Sequence, residues 1–319
     1  MDINSDKHLH CTIDELVKMI IKLFRRFNPN VPKQKLLGFV NTIIYSKYFL
    51  NNENAYHNLQ HTFEVFQMTS YLIQNYKNNH FKREECTILQ VAALCHDYGH
   101  NGIPNSQWHD TDIHKQVRKV SSCESELSWI MERVNSSTLI EKSSFSCESS
   151  TSQEIHSYNE IMHIDKTIAI ILKYRKWLFP NITEMQVTTI ITKLILATDL
   201  SEYKSYIELF KCYTHTKMYD MMLILKLADI SHVLRPFQVH SYWVYKLQNE
   251  TTTTKKAPTL EYISSDTLFF VHKFVIPLLE IFIERNPKAK HLSTNVKKNI
   301  NIWLLHSPNS SLHKRPLVL

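Results

Sequence analysis

Residues 219–231 read YDMMLILKLADIS, a run that is apolar on nearly every side of a helical wheel. A helix that is hydrophobic all round packs in the middle of other elements rather than on a surface, so this segment predicts the central helix of the fold. Asp229 lies within it. An unpaired carboxylate there would be very costly unless neutralised. One partner is Lys226, three residues earlier on the same helix. The other is a cation shared with ligands from elsewhere in the chain.

Working outward, apolar residues recur at three- and four-residue spacing, as in Val65, Met68, Leu72 and Ile73, or Ile168, Ile171 and Leu172, and alternating strand patterns are scarce. Thr183-Glu-Met-Gln186 has the form of a capping box and predicts a helix start, with the helix running to about Ala197. The expectation is a single all-α domain over residues 1–319, a compact assembly of many packed helices. Residues from about 118 to 156 interrupt it with clustered Ser, Glu and Thr (VSSCESELS, SSFSCESSTSQE), a composition that buries little apolar surface, and they read as a surface insertion. TTTTKK at 251–256 reads as a loop.

Composition narrows the function. A chain of 319 residues with 43% hydrophobic content can build a sizeable core without staples. The six cysteines (Cys11, Cys86, Cys95, Cys123, Cys147, Cys212) contain no Cys-x-x-Cys pair and suggest neither zinc knuckle nor disulfide framework, which fits a cytoplasmic location. The segment MDINSDKHLHCTIDEL lacks a basic region followed by an apolar one, and no apolar stretch reaches spanning length. The net charge of +7 is spread over short pairs such as Lys255-Lys256 and Lys297-Lys298, a solvated basic surface rather than a nucleic-acid track. Glycine is the sharper signal. About twenty would be ordinary, but only Gly38, Gly99 and Gly102 occur. That excludes the glycine-loop nucleotide sites, which need such residues for tight turns and close approach to phosphate.

Of the 18 histidines most are ordinary, so combination and placement decide. His57 and His61 lie four apart in AYHNLQHTFEV, which on a helix puts both rings on one face. His96, Asp97 and His100 follow the apolar run Ile88 to Cys95 in LCHDYGHNGIPN, where Gly99 and Gly102 let the chain turn sharply. An ion pair with Lys226 explains Asp229 alone. A metal site explains all of these residues, because two imidazoles and two carboxylates match a zinc-like cation and leave positions for water. One carboxylate, here Asp97, could bridge to a second, harder cation such as magnesium or manganese. Two cations about 3.5–4 Å apart activate a water and clamp phosphoryl oxygens for in-line displacement. A histidine opposite is well matched to protonating a departing sugar oxygen.

At these residues the sequence resembles the class I cyclic-nucleotide phosphodiesterase catalytic domain, within the broader His-Asp metallohydrolase group. Tyr56-His57-Asn58-x-x-His61 resembles the first motif, His96-Asp97-x-x-His100-x-Gly102-x-x-Asn105 the second, Leu196-Ala197-Thr198-Asp199 the third and Ala228-Asp229-Ile230-Ser231 the fourth, with Trp243 following at the family's spacing. The resemblance implies that His57 is the general acid, that His61, His96, Asp97 and Asp229 are direct ligands of two divalent cations, zinc in the tighter site and magnesium or manganese in the second, and that Asp97 touches both. It places Glu160, His163, His100 and Thr198 around the metal-bound waters, and Tyr56, Leu247, Thr267 and Phe270 at the substrate, with Leu247 and Phe270 as the apolar clamp on the base. The substrate implied is cAMP or cGMP, hydrolysed to the 5′-monophosphate, and whether a homodimer forms is left open.

One departure bears on specificity. The family has a glutamine three residues before the clamp phenylalanine, and here that position is Thr267, with no glutamine anywhere after Gln248. A hydroxyl cannot make the paired contact of an amide with a purine edge, so the sequence predicts dual specificity or weak base binding. It leaves open two alternatives, hydrolysis of another phosphoester and a nucleotide-binding protein without turnover.

Overall fold

The structure is a computed structural model, and it describes residues 2–50, 53–76, 80–108, 157–211, 216–252 and 257–307. The Ser-rich stretch at 118–156 and residues 253–256 of the TTTTKK segment lie outside the described residues, as do Cys123, Cys147 and Cys212. Among the described residues there is no strand. The helices are α1 (Ile13–Phe27), α2 (Lys33–Ile44), the short α3 (Lys47–Leu50), α4 (Leu59–Gln74), α5 (Arg83–Cys95), α6 (Tyr158–Leu178), α7 (Glu184–Leu196), α8 (Tyr203–Lys211), α9 (Lys217–Asp229), α10 (Phe237–Thr251), α11 (Leu260–Phe270), α12 (Ile276–Arg285) and α13 (Ser293–Leu305). The all-α expectation holds.

The apolar run at 219–231 is the central helix α9. It packs against α4, α5, α7, α8 and α12, and Leu223, Ile224, Leu225, Leu227 and Ala228 are fully buried. The helix ends at Asp229, earlier than the apolar pattern does, and the chain passes through Ile230 into a short 3-10 turn, Ser231–Leu234. That ending decides the fate of Asp229. Its carboxylate points out of the helix end, and Lys226, also fully buried, turns elsewhere: its ammonium donates to the carbonyls of Ala197 (2.8 Å) and Asp199 (2.7 Å). A lysine there satisfies carbonyls that α7 leaves unpaired and complements the negative end of its dipole. The ion pair that would have accounted for Asp229 is therefore not what Lys226 does.

The capping box at α7 is present as the sequence predicts: the Thr183 hydroxyl accepts from the Gln186 amide and the Gln186 side chain accepts from the Thr183 amide. Thr183→Ala should cost about 0.5–2 kcal/mol, read as a lowered midpoint in chemical denaturation. On α6 the buried face is Ile164, Thr167, Ile170, Ile171 and Leu178, while Leu172 is exposed, so the face inferred from Ile168, Ile171 and Leu172 is rotated by about one residue. Between α11 and α12 the backbone widens into a π turn, Val271–Val275, which ends one residue short of Pro277. Proline has no N–H to continue the ladder, and a π turn absorbs the break without ending the helix.

A buried polar cluster pins the N-terminal segment to this core. Glu64 of α4 pairs with His8 (2.9 Å) and with the Arg235 guanidinium (3.2 Å), and the Trp243 indole N–H donates to it. Burial alone would raise the Glu64 carboxyl, but Arg235 and His8 overcome it and hold the group down at about 2, below its ordinary 4.5. A carboxyl depressed in the folded state contributes stability that is fully present above its unfolded value and is lost as pH falls through the folded one. Stability should therefore decline between about pH 4.5 and pH 2, by on the order of 3 kcal/mol from this group. Glu64→Gln should flatten that acid limb in denaturation curves taken at pH 7, 4 and 3.

Candidate active site

Three helix ends meet at one point. The start of α4 brings His61, the end of α5 brings His96 and Asp97, and the end of α9 brings Asp229. One ligand atom from each of these four residues lies within 4.8 Å of all the others. The His96 Nε2 is 3.0 Å from Asp97 Oδ2 and 3.2 Å from Asp229 Oδ1, and the His61 Nε2 is 3.4 and 3.3 Å from the same two oxygens. Among the described residues, both imidazole nitrogens and Asp97 Oδ2 are buried without a hydrogen-bond partner. Atoms bound about 2.0–2.1 Å from a cation at tetrahedral angles lie roughly 3.3 Å apart. Separations of 3.0–3.4 Å between unsatisfied nitrogen and oxygen donors thus fit a divalent cation.

Local structure prepares the donors. His96 caps α5, and its Nδ1–H donates to the Ala93 carbonyl (2.9 Å), which leaves the Nε2 lone pair facing the site. The negative dipole ends of α5 and α9 point at the same place and favour positive charge there. Asp97 presents its two oxygens to different neighbours, Oδ2 to His61 and His96, and Oδ1 to His163 at 4.0 Å. Burial alone would raise both carboxyls. The His96 and His61 imidazoles outweigh it, holding Asp97 well below the usual range and Asp229 below it too. The carboxylates are anionic and tightly grouped, as a cation site requires.

Beside this group stands His57, and here the local structure differs from the expectation of a shared helical face. Asn58 is the N-cap of α4, its side chain accepting from the amides of Gln60 (3.0 Å) and His61 (3.1 Å), so His57 lies outside the helix. Asparagine is among the best N-caps, and that capability ends the helix between the two histidines. His57 is fixed instead by Glu250, which sequence reasoning did not single out. The His57 Nδ1–H donates to one Glu250 oxygen, while the other accepts from the backbone amides of Tyr56 (2.6 Å) and His57 (3.0 Å). Burial raises the Glu250 carboxyl, but the His57 ring and those two amides hold it down at about 2. A signal was available: Glu250 follows Trp243 and Leu247 at helical spacing on α10 and so shares their inward face.

His100 stacks on His57 with centroids 3.9 Å apart, and its Nδ1 accepts from the Gly102 amide (2.9 Å). Burial, followed by the neighbouring His57, holds His100 down at about 4, so the ring is neutral near pH 7. Gly99 and Gly102 both adopt positive φ (88° and 78°), and a Cβ on Gly99 would meet the Lys166 ammonium at 2.4 Å. Glu160 and His163 both lie on α6. Asn105 donates to Glu160 (2.8 Å), whose carboxyl is pushed up to about 8 by burial and then by Asp199. The His163 ring is fully buried 5.6 Å from that of His100. Thr198, just beyond α7, donates its hydroxyl to the Ile195 carbonyl (2.8 Å).

The substrate-side residues divide between two packing groups. Tyr56 is buried against His61 (4.5 Å between centroids) and Trp243 (5.4 Å), and Leu247 packs with that group. Phe270 packs on the main core, 5.4 Å from Phe274. Thr267 is buried, and its hydroxyl donates to the Ile263 carbonyl one turn back (2.7 Å).

Comparison with known proteins meets this geometry from outside it. The mouse dual specificity calcium/calmodulin-dependent 3′,5′-cyclic nucleotide phosphodiesterase 1C is 26% identical over 238 residues, covering 72% of this chain. The chain spans 28% of that protein's length. The cGMP-specific 3′,5′-cGMP phosphodiesterase 3 of Dictyostelium discoideum is 23% identical over 308 residues, 88% of this chain and 58% of its own. In fold, the chain matches the phosphodiesterase domain of the RhoPDE fusion protein from the choanoflagellate Salpingoeca rosetta with a TM-score of 0.73 at 18% identity, over 96% of this chain and 95% of that one. The family model for 3′5′-cyclic nucleotide phosphodiesterase matches residues 56–141 and 142–296, a span that takes in the histidines, carboxylates and Glu250 just described. On that extent of match, the chain belongs to the 3′5′-cyclic nucleotide phosphodiesterase family.

Proposed function

We propose that the protein hydrolyses the 3′ phosphoester bond of a 3′,5′-cyclic nucleotide to give the 5′-monophosphate. The observation that carries this reading is the convergence of His61, His96, Asp97 and Asp229 beside a histidine held by a carboxylate. These four residues would hold two divalent cations, zinc in the tighter site and magnesium or manganese in the second, and Asp97 would serve both. When bound, the cations polarise the phosphoryl group and lower the pKa of a water beside it.

The chain's own residues do the rest. His57 supplies the proton to the departing 3′ oxygen through Nε2, because Nδ1–H is committed to Glu250. The Glu250 carboxylate fixes that tautomer and stabilises the imidazolium, the role a buried carboxylate plays for a catalytic histidine. The stacked, neutral His100 holds the ring plane without adding a competing charge. Glu160, His163, His100 and Thr198 would orient waters bound to those cations, and Tyr56 packs on Trp243 beside the ligand group.

A second reading, hydrolysis of a different phosphoester, is favoured by one observation, the Thr267 hydroxyl spent on the Ile263 carbonyl where a base-reading group would be expected. A binding protein without turnover has no use for the His57–Glu250 pair. The test is an assay of the metal-supplemented protein against cAMP, cGMP and bis(p-nitrophenyl) phosphate. Turnover of a cyclic nucleotide well above the generic diester supports the first reading. Turnover of the generic diester alone supports the second.

A further inference from the structure

Away from the metal-ligand group, the N-terminal segment, α1 and α4 enclose a cavity of about 280 Å³. That is close to the lower end of the range of small-molecule pockets, about 300–1,000 Å³. Its rim is basic. Lys22 and Arg26 lie four residues apart on α1, so both side chains rise from one face, and Lys7 borders the same space from the 3-10 turn Lys7–His10. Among the described residues none of these three forms an ion pair with a carboxylate, and Asp2 is the one acid in the lining. Arg26 gives one N–H to the Gln74 side chain (2.7 Å) and keeps its other donors. The favourable effect of a cation at a helix C-terminus explains Arg26, in the last turn of α1, but neither Lys7 nor the cavity.

The floor is polar and buried. Gln67 of α4 is 6% exposed, and its carbonyl oxygen accepts from the Arg235 guanidinium (3.0 Å). Arginine only donates, so that contact fixes which end of the Gln67 amide is which. The NH2 end has no hydrogen-bond partner among the described residues, and the side chain lines the cavity. A buried donor without a partner is costly, and an acceptor on a ligand would relieve it. Beside it His8, also buried, is held through Nε2 by Glu64 (2.9 Å). Met19 and Leu23, on the same face of α1 as the two cations, make one wall apolar.

We propose that this cavity binds a small organic phosphomonoester, its phosphate on Lys7, Lys22 and Arg26, its body against Met19 and Leu23, and a hydroxyl oxygen accepting from the Gln67 amide. Arginine and lysine are the side chains suited to phosphate oxygens. A bare phosphate would leave the apolar wall and Gln67 uncovered, which is what points to an organic body. By bridging Lys7 to α1, such a ligand ties the N-terminal segment down and steadies the cluster in which Glu64 holds His8, Arg235 and Trp243. Trp243 in turn packs on Tyr56 and His61, so the route from this cavity to the ligand group is short. The cavity shares no lining residue with the candidate active site and does not depend on the reaction proposed for it.

Titration calorimetry of the metal-loaded protein with ribose 5-phosphate, inorganic phosphate and ribose tests this. Ribose 5-phosphate should bind more tightly than inorganic phosphate, and ribose should not bind. Lys7→Glu, Lys22→Glu and Arg26→Glu should each weaken ribose 5-phosphate about tenfold or more, the worth of one charge-assisted contact. Lys176→Glu, an equal change of charge on α6 outside the cavity, should leave its affinity unaltered. All of these side chains are exposed, so the variants should fold and keep basal turnover. Ribose 5-phosphate should also raise the unfolding midpoint of the wild type and not that of Lys22→Glu. Affinity unchanged in the three cavity variants would assign the phosphate to the metal centre and overturns the proposal. An equal loss in Lys176→Glu would reduce it to general surface charge and overturns it as well, as does inorganic phosphate binding as tightly as the sugar phosphate, or no binding at all.

Discussion

Asp229→Ala, His61→Ala and His96→Ala should each strip the protein of its tighter cation and of nearly all turnover. The donors stand 3.0–3.4 Å from one another, and among the described residues no hydrogen bond satisfies the two imidazole nitrogens or Asp97 Oδ2. Losing a group that merely supports a ligand typically costs 10–100-fold, so removal of a direct ligand should exceed that. Asp97→Asn should be the most severe for metal content, since both of its oxygens face histidines and, on the proposed reading, both cations would depend on it. Elemental analysis after gel filtration checks the stoichiometry. Chelation should also lower the unfolding midpoint, because a cation at a hundred times its Kd stabilises the folded state by about 2.7 kcal/mol. Wild-type metal content in all of these variants would show that the cluster is an ion-pair network and nothing more.

His57→Ala should keep both cations and lose about 10²–10⁴-fold in kcat, the range over which a positioned general acid contributes. The separation is structural: His57 lies outside α4, before its Asn58 cap, and is held by Glu250 rather than by the ligand group. Glu250→Gln should reproduce part of the loss, since an amide in place of the carboxylate no longer stabilises the imidazolium or enforces the tautomer. The defect of either variant should shrink with a p-nitrophenyl ester, whose leaving group departs without a proton. An equal defect on natural and activated substrates would assign His57 to positioning instead of proton transfer.

The fold was legible because its strongest signals are local. An all-round apolar run marks a central helix wherever it falls, and α9 is that helix. The capping box at Thr183 needs only four residues to operate. The candidate ligands were legible for a related reason, since helix ends carry them and a buried carboxylate at Asp229 demands a partner. What escaped was set by contacts far apart in sequence or by competing local chemistry. Glu250 meets His57 across 193 residues, and its sequence surroundings, Gln-Asn-Glu-Thr, look like a solvated helix end. His57 was drawn onto the helix by its spacing from His61, whereas the Asn58 side chain terminates the helix first. Lys226 sits at a spacing that suits Asp229 on the same helix, yet the carbonyls of Ala197 and Asp199 offer it more contacts. A hydrogen-bonded chain of His232, His240 and Trp303 joins three elements and leaves no mark in any single window of sequence.

Product analysis of the metal-loaded protein incubated with cAMP and cGMP bears most directly on the whole. Hydrolysis by His57 and the cation pair should release the 5′-monophosphate alone, should cease when the metal is chelated, and should return when zinc with magnesium or manganese is restored. Formation of the 3′-monophosphate, or turnover that persists in the metal-free protein, would contradict it.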